Sequence, residues 1–222
     1  IITARGGSKR IPKKNIKSFC GKPIIAYSIE AAFQSGCFDT VMVSTDSEEI
    51  AKIARQYGAE VPFLRSKKTS NDFAITNDVL TEVLNQYAAT GKTYDIMACI
   101  YPTAPFITPE RLKAAQKMIT QGACSVMAAA QYSYPPQRGL ILRDGKMVYR
   151  EEKYQFTRSQ DLDPVFHDAG QFYFYKLQNG TEFVDGNYSG VILDDMEVQD
   201  IDNMSDWEIA ELKYKLIHNQ GE

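Results

Sequence analysis

The chain has 222 residues, of which 44% are hydrophobic, and a formal net charge of −3. This length suits one large α/β domain with room for an insert, and the apolar share is sufficient for a buried core. No run of about 18 apolar residues is present, which argues against a membrane-spanning helix. The four cysteines show no C-x-x-C spacing, so we expect core residues in a reducing, cytoplasmic compartment.

The first 22 residues combine a short β-prone run, Ile1 to Ala4, with a strongly basic loop. Seven cations occur before the first acidic residue, Glu30. Gly6 and Gly7 lack a Cβ, so the backbone there can bend sharply and bring its N–H groups close to a ligand. A glycine-containing loop with lysines between a strand and a helix suits a polyphosphate. The cations are Arg5, Lys9, Arg10, Lys13, Lys14, Lys17 and Lys22.

Two other interpretations of this basic loop stay open. It is either a solvated loop or an arm for nucleic acid, although the net negative charge and the lack of a second basic patch with aromatic residues argue against nucleic acid. The loop does not match the Walker motif, because Ile16 and Pro23 stand where that motif needs a glycine and a serine or threonine. We therefore predict a phosphate site outside the two commonest motifs.

The first helix and second strand follow directly. Pro23 suits the first turn of a helix that extends to Ser35, and Gly36 is the expected C-cap. Residues 41–43 form the second predicted strand.

A second helix is predicted between Asp46 and Gly58. Asp46 is the expected N-cap, because Glu49 stands three residues on and completes a capping box. Residues 61–64 indicate a short third strand, and a polar loop then covers 65–77.

The alternation of strands and helices continues to residue 130. A helix is predicted around 79–87, a buried strand at 96–100, a helix between Pro109 and Gly122, and a strand at 125–130. This order predicts a three-layer α/β/α Rossmann-like sandwich with a mostly parallel sheet. Ligands bind beyond the carboxyl ends of such strands, where the basic loop would meet the loops after residues 45 and 101.

Residues 131–166 interrupt the alternation. Asp144-Gly145 between apolar runs is a strong hairpin signal. We interpret 131–166 as an inserted arm within a single domain, 1–222. A protruding hairpin exposes strand edges and apolar faces that need a cover, and a second subunit is the expected cover. Strands then follow at 170–175 and 191–193.

Near the end of the chain, Asp200 and Asp202 stand two residues apart. In an extended segment both carboxylates face one side while Ile201 turns toward the core. One or two carboxylates are what Mg²⁺ takes when it also binds phosphate. Ordinary solvated acids or a helix-cap pair are the alternative. Ser205, with Glu208 three residues on, is predicted to cap the last helix.

The sequence has both parts of a nucleotidyl-transfer site, a cationic loop near its start and an acidic pair near its end. Fixed cations aimed at growing charge are often the largest catalytic contribution, and positioning with charge neutralisation supplies most of the catalysis in phosphoryl transfer. The sequence shows no Ser-His-Asp triad or metal-spaced histidine cluster that would compete. His167 is expected either to form structural hydrogen bonds or to touch substrate.

Several motifs of the chain, in this order, resemble those of the sialic-acid-type cytidylyltransferases. Members of that family transfer CMP from CTP to the anomeric hydroxyl of a nonulosonic acid and release pyrophosphate. The motifs are Ala4-Arg5-Gly6-Gly7-Ser8-Lys9 with Ile11-Pro12-Lys13-Lys14-Asn15, Phe19-Cys20-Gly21-Lys22-Pro23, Val43-Ser44-Thr45-Asp46, Tyr101-Pro102-Thr103-Ala104-Pro105 and Gln199-Asp200-Ile201-Asp202.

Within that family the chain is most similar to the pseudaminic acid branch. Arg10 stands where sialic-acid enzymes usually have glycine. Ala169-Gly170-Gln171 stands where they tend to have Asn-Gly-Ala, and Tyr101 where they usually have Gln. Because the second difference falls in the part of the pattern that contacts the sugar, the resemblance favours pseudaminic acid over sialic acid. Legionaminic or N-acetylneuraminic acid remains an alternative substrate, and a non-catalytic nucleotide-binding module is an alternative function.

The resemblance also implies roles for individual residues. Catalysis is assigned to Lys9, Lys14, Asp200 and Asp202, the two aspartates holding Mg²⁺. CTP binding is assigned to Ala4, Arg5, Gly6, Gly7, Ser8, Asn15, Arg65 and Asp72. The sugar is assigned to Thr103, Arg158, Gln160, Gly170 and Gln171. The family's hairpin arm forms a homodimer, so Arg158 is expected to reach the neighbouring subunit's site.

Overall fold

A computed structural model of the chain describes residues 1–71, 73–186 and 188–218. Short 3-10 turns connect several of its helices and strands. The helices are α1 (Ile24–Ser35), α2 (Glu48–Gln56), α3 (Thr76–Ala89), α4 (Pro109–Thr120) and α5 (Met204–His218). The strands are β1 (Ile2–Thr3), β2 (Ser18–Phe19), β3 (Lys22–Pro23), β4 (Val43–Ser44), β5 (Ile96–Ile100), β6 (Ser125–Gln131), β7 (Leu140–Arg143), β8 (Lys146–Tyr149), β9 (Phe166–Gln178), β10 (Glu182–Phe183) and β11 (Tyr188–Leu193).

The central sheet has the strand order β11-β6-β9-β5-β1-β4, and β10 pairs with β9. β1 is parallel to β4 and β5, and β6 is parallel to β11. β9 lies between β5 and β6 and runs antiparallel to both. The predicted α/β fold with a mostly parallel sheet is confirmed, with β9 as the strand that runs against the others.

Helices cover both faces of this sheet, as β5 demonstrates. Ala98 and Ile100 pack in the core cluster that includes residues of α1 and α4. Met97 and Cys99 point to the other face, where they pack with Leu84 of α3. Side chains of a strand alternate between faces, so β5 is apolar throughout because both of its faces are buried. The arrangement has three layers.

The ends of α1 agree with the prediction. Pro23 is its N-cap, and Gly36 is its C-cap in the left-handed conformation, with φ of 63°. The Gly36 N–H donates to the carbonyl of Phe33. A glycine pays no Cβ penalty in this conformation, which explains why the helix ends there.

The predicted cap of α2 was wrong by one residue. Ser47 is the N-cap, and its side chain accepts a hydrogen bond from the Ile50 N–H. The carboxylate of Asp46 instead accepts a hydrogen bond from the Gly6 N–H, at 2.7 Å. A contact with a distant part of the chain therefore takes Asp46 away from the helix end.

The predicted strand at 61–64 does not form. Among the described residues, the pairing beyond β4 is a single bridge between Met42 and Glu60. The chain then turns, and the Arg65 N–H donates to the carbonyl of Thr45. This turn takes residue 65 to the carboxyl end of β4, where it joins the site.

The predicted cap of the last helix was also wrong. The Asn203 side chain accepts a hydrogen bond from the Asp206 N–H at 3.0 Å. Asp206 in turn accepts from the N–H groups of Asp202 and Asn203, at 2.9 and 3.0 Å. This reciprocal arrangement satisfies the free N–H groups at the helix start, and Ser205 lies inside the first turn. Among the described residues, we find no helix that combines the length and the hydrophobicity of a membrane span.

β7 and β8 form a separate two-stranded antiparallel sheet within residues 131–166. Asp144 and Gly145 at its turn have φ of 50° and 75°, as a two-residue type I′ hairpin requires. Leu142 and Met147 are 71% and 62% exposed. The hairpin lies outside the central sheet, and its use in dimerisation stays a prediction.

Candidate active site

The basic loop begins where β1 ends and is tied to the end of β4. The Ala4 N–H donates to the carbonyl of Ser44, and Gly6 donates to Asp46 as described above. A Cβ added to Gly6 would lie 3.1 Å from the Cβ of Ser47, whereas one added to Gly7 meets nothing within 4 Å. The close approach of the two chain segments therefore favours glycine at position 6, where a Cβ would fit only if Ser47 shifted slightly, and leaves space for a side chain at position 7.

A second fastening closes the loop on itself. The buried side-chain amide of Asn15 donates to the carbonyl of Arg5 at 2.9 Å. Lys13 has a left-handed backbone, with φ of 52°, and begins the 3-10 turn Lys14–Ile16. This turn directs Lys14 inward, while Lys13 points away and pairs with Glu49 at 2.7 Å.

A first cavity, of about 490 Å³, opens above this loop. The structure brings most of the predicted nucleotide-binding and catalytic residues together around it. Ala4 is fully buried beneath the loop, and Asp72 lies outside the described residues. The predicted site residues that line the cavity are Arg5, Ser8, Lys9, Lys14, Asn15, Arg65, Thr103 and Asp202.

Arg65 is held rigidly at one wall of the first cavity. Its Nη2 donates to the carbonyl of Ser44 at 2.7 Å, and its Nε donates to the Ser44 hydroxyl at 3.1 Å. Burial lowers the pKa of the Arg65 guanidinium, and the charges of Asp46 and Glu82 oppose that effect. An arginine remains charged under all ordinary conditions, so this wall carries a fixed positive charge.

Lys14 connects the basic loop to the acidic pair. Its ammonium donates to the carbonyl of Ile201 at 2.7 Å. Burial lowers the pKa of Lys14, and the charges of Asp202 and Asp200 act in the opposite direction. Ile201 is buried at 2% exposure, so the chain on either side of it presents its two carboxylates near one cation.

The two aspartates suit a magnesium ion. Asp202 lines the first cavity and Asp200 lines a neighbouring one. Among the described residues there is no cluster of three or more histidine, cysteine, aspartate or glutamate side chains that could hold a metal. Magnesium is usually bound by one or two carboxylates together with phosphate oxygens and water. The donor set fits that cation when a nucleotide is bound beside it.

The second cavity, of about 690 Å³, shares Tyr101 and Thr103 with the first. Gly170, which the resemblance assigns to the sugar, lines this cavity. Gln171 is buried, and its amide donates to the carbonyl of Glu197. Gln171 therefore supports the wall of this cavity from behind.

His167 makes structural contacts, and its contact with substrate stays a prediction. Its Nδ1 lies 2.9 Å from the carbonyl of Asp168, and its ring centroid lies 4.9 Å from that of Tyr132. It also lines the second cavity. Its contacts are structural, and its position lets it meet a ligand.

Arg158 and Gln160 lie on the arm, and neither lines the two cavities of its own chain in the described ranges. The Arg158 guanidinium pairs with Asp161 at 2.7 Å, and its side chain is 71% exposed. One chain alone therefore does not bring these two residues to the site.

The sequence interpretation missed the group that shapes the loop before α3. Glu82 accepts hydrogen bonds from the Ser66 N–H and hydroxyl, at 2.8 and 2.7 Å, and from the Thr69 hydroxyl. Burial acts to raise the pKa of Glu82, but these hydrogen bonds outweigh it and the pKa is lowered. Thr69, which this carboxylate holds, lines the first cavity together with Asn71. The sequence separation between Glu82 and the polar loop did not predict these contacts, because they depend on where α3 packs.

Arg10 was listed among the cations of the basic loop but was not assigned a role at the site, and it lines the first cavity. Asp168, Tyr173 and Lys213 of the second cavity were not predicted as site residues. Asp168 and Tyr173 flank residues 169–172. Their position next to the predicted sugar motif was the signal that could have identified them.

Comparisons with known proteins identify the family of this chain. A family model described as cytidylyltransferase matches residues 1–200. The whole chain is 43% identical to the pseudaminic acid cytidylyltransferase of Campylobacter jejuni and covers 97% of that protein. Over 95% of its length it is 30% identical to the CMP-N,N'-diacetyllegionaminic acid synthase of Legionella pneumophila, with 93% of that protein covered.

Solved structures show the same fold. The chain is similar to a CMP:2-keto-3-deoxy-manno-octonic acid synthetase in complex with CTP, with a TM-score of 0.69 and 18% identity over 97% of both chains. The match of the family model over most of the chain, together with the full-length similarity to the Campylobacter enzyme, shows that this chain belongs to the cytidylyltransferase family.

Proposed function

We propose that this protein is a homodimeric, Mg²⁺-dependent enzyme that transfers CMP from CTP to the anomeric hydroxyl of pseudaminic acid and releases pyrophosphate. The observation that carries the proposal is the meeting of two cavities at Tyr101 and Thr103, one lined by the basic loop and the other by Gly170. A nucleotide in the first cavity and a sugar in the second would bring their reacting groups to this junction.

The basic loop supplies the charge that the leaving group needs. Arg5, Lys9 and Lys14 line the first cavity on the side of the loop. Pyrophosphate gains negative charge as it departs, and cations already fixed in place stabilise that charge without reorganisation. Lys14 is held by Ile201 at 2.7 Å, which fixes its ammonium before substrate arrives.

The acceptor sugar is oriented by the second cavity. Holding the hydroxyl in line with the α-phosphate replaces an encounter in solution by a positioned reaction. Asp200 and Asp202 would hold Mg²⁺ together with oxygens of the bound nucleotide. When bound there, the cation neutralises phosphate charge and lowers the pKa of the attacking hydroxyl.

Assembly into a dimer is supported by the arm. Tyr134, Leu142 and Phe156 are 87%, 71% and 90% exposed, and large apolar side chains grouped on one projecting segment mark an interaction surface. A second copy of the chain would cover this surface and bring Arg158 to a site that its own chain does not place it in.

The choice of pseudaminic acid is supported by the 43% identity with the Campylobacter enzyme over the whole chain. The legionaminic acid synthase is 30% identical and the N-acylneuraminate cytidylyltransferase of Oncorhynchus mykiss is 35% identical, each over 95% of this chain, so legionaminic and N-acetylneuraminic acid are the alternative substrates. All three candidates are nonulosonic acids, so the difference between them rests on the shape of the second cavity.

Pyrophosphate release tests the proposal. CTP, Mg²⁺ and purified protein are combined with pseudaminic, legionaminic, neuraminic or Kdo acid, and the product is identified by mass. We expect the highest kcat/KM with pseudaminic acid. Release with legionaminic acid alone would change the proposed substrate but support the proposed reaction. CTP binding without release in any mixture would overturn catalysis and favour a nucleotide-binding module.

A further inference from the structure

β9 bulges where it passes the second cavity. On the β6 side, Met127 pairs with Tyr173 and Ala129 pairs with Asp168. Between these two pairs the chain advances by two residues in β6 and by five residues in β9. The four residues 169–172 therefore have no partner on β6. A bulge of this kind bends a strand and re-aims its side chains.

The other side of the bulge remains paired with β5. Ile100 pairs with Phe172, and the Tyr101 N–H donates to the carbonyl of Gln171 at 2.8 Å. The bulge is therefore anchored at the junction of the two cavities. On the β6 side the bulge has no backbone pairing, so other contacts must stabilise its shape there.

A single carboxylate provides this fastening. Asp168 Oδ2 accepts a hydrogen bond from the Tyr173 hydroxyl at 2.6 Å, and Oδ1 accepts one from the Gly170 N–H at 2.8 Å. Burial and then the bond to Asp168 raise the pKa of Tyr173, so the hydroxyl remains a donor. Hydrogen bonds to an ionised acceptor are short and strong. We call this arrangement of Asp168, Gly170 and Tyr173 the clamp.

The clamp also fixes an unusual backbone conformation. Gly170 has φ of +62°, a value that side-chain-bearing residues rarely adopt. Behind it, Gln171 donates to the carbonyl of Glu197, whose carboxylate binds Arg111 Nη2 at 2.6 Å and Nε at 3.2 Å. The bulge is held from both the front and the back.

The clamp lies at the wall of the second cavity. Asp168, Gly170 and Tyr173 all line it, next to Tyr101. The rings of Tyr101 and Tyr173 are 5.5 Å apart between centroids. A shift of the bulge would therefore move the polar wall of the cavity relative to the junction, while the basic loop on the far side of Tyr101 would stay in place.

We propose that Asp168 is a positioning residue that sets sugar selectivity, because its carboxylate holds the 169–172 bulge in the one shape that accepts the nonulosonic acid. This inference rests on the proposed function. The clamp discriminates between related sugars and takes no part in nucleotide binding.

Tyr173→Phe and Asp168→Asn test the inference. The first variant keeps the ring and loses one hydrogen bond, and the second keeps the size of the side chain and loses its charge. Tyr175→Phe is the matched control, since Tyr175 lies on the same strand and is not among the residues that line either cavity. Initial rates of pyrophosphate release are measured with sugar varied at saturating CTP, and with CTP varied at saturating sugar.

We expect the KM for the preferred sugar to rise by about tenfold in both clamp variants, as loss of one hydrogen bond to a charged group implies. The KM for CTP should stay within about twofold of wild type, and the kcat/KM ratio between pseudaminic and legionaminic acid should fall. The control should match wild type in all three quantities. This separation is one that a general loss of stability does not produce.

Two outcomes would overturn the inference in different ways. If wild-type protein releases pyrophosphate with a nonulosonic acid but both clamp variants keep its sugar KM and selectivity, the inference fails and the proposed function stands. If wild-type protein binds CTP but releases none with any nonulosonic acid, both fail together. Melting temperatures of all variants identify any that unfold, and the milder Tyr173→Phe then decides the question.

Discussion

The guanidinium of Arg10 lies 2.6 Å from the carboxylate of Asp202, so the basic loop and the acidic pair are in direct contact at the first cavity. The two side chains are 67% and 41% exposed. Ion pairs at that level of exposure contribute about 0–1 kcal/mol. This pair is therefore easily exchanged, and Arg10 competes with any cation that Asp202 binds.

Replacing Arg10 should strengthen divalent cation binding. With Arg10→Gln, the Asp202 carboxylate no longer has this competitor, and we expect Mn²⁺ affinity to rise by up to about fivefold, the equivalent of about 1 kcal/mol. Electron paramagnetic resonance of Mn²⁺ with the protein and a CTP analogue measures it. Lys13→Gln is the control, because Lys13 belongs to the same loop but pairs with Glu49. Equal Mn²⁺ affinity in Arg10→Gln and wild type would show that the cation does not use Asp202.

Removing the charge of Asp202 should stop turnover and preserve the fold. Asp202→Asn keeps the side-chain shape and its hydrogen-bonding oxygen, and we expect kcat to fall by at least about 100-fold, as loss of an electrostatic contact in the transition state implies. Asp194→Asn is the control, because Asp194 is a nearby aspartate that caps the 3-10 turn Asp195–Glu197 and is not among the residues lining the two cavities. Normal turnover of Asp202→Asn would remove its assignment to the metal.

Lys14 should matter for nucleotide affinity. Lys14→Met keeps the length of the side chain but removes an ammonium that lies in the first cavity. Loss of a hydrogen bond to a charged phosphate predicts a CTP Kd raised by about 10- to 100-fold, measured by calorimetry. Lys17→Met is the matched control, because Lys17 belongs to the same basic stretch but lies over the Trp207 ring, with its Nζ 5.6 Å from the ring centroid. An unchanged Kd in Lys14→Met would contradict the phosphate role of the loop.

Local signals in the sequence predicted the parts of the fold that local chemistry decides. Gly36 ends α1 and Asp144-Gly145 makes the hairpin turn, because each needs a left-handed backbone that these residues tolerate. The basic loop was recognisable for a similar reason, since its glycines and cations are neighbours in the chain.

Contacts between distant residues explain what the sequence could not predict. Aspartate is a residue type favoured at the N-cap, but the Asp46 carboxylate instead accepts a hydrogen bond from the Gly6 N–H, 40 residues away. Gln171 was expected at the sugar, and its amide instead donates to the carbonyl of Glu197. The bulge in β9 depends on insertion between β5 and β6, which periodicity within one strand does not reveal.

The stability of the loop at the first cavity should depend on pH, because the carboxylate of Glu82 holds this loop. Because hydrogen bonds lower its pKa in the folded protein, the stabilisation by Glu82 is present above the carboxyl's unfolded pKa and is lost as the pH falls through the folded one. We expect Glu82→Gln to destabilise the protein at pH 7 by roughly 1–2 kcal/mol. The difference from wild type should shrink toward acid pH. Unfolding in urea at several pH values measures it, and a difference that is constant with pH would contradict the ionised role.

The last prediction concerns which chain supplies Arg158. Arg158 is exposed and lines neither cavity of its own chain in the described ranges, whereas Asp202 lines the first cavity directly. In a dimer with twofold symmetry, each site would combine one chain's Asp202 with the other chain's Arg158. We expect Arg158→Ala and Asp202→Asn to have low activity as separate proteins.

Mixed dimers, made by co-expression with two different affinity tags and purified on both, should recover activity. One of their two sites carries both substitutions and the other carries neither, so we expect about half of the wild-type kcat per dimer. If Arg158 served its own chain, each site of the mixed dimer would carry one substitution and no activity would return. Failure to isolate any protein that carries both tags would instead overturn the dimer. Recovery near half therefore tests the arm, the assembly and the reach of Arg158 in one measurement.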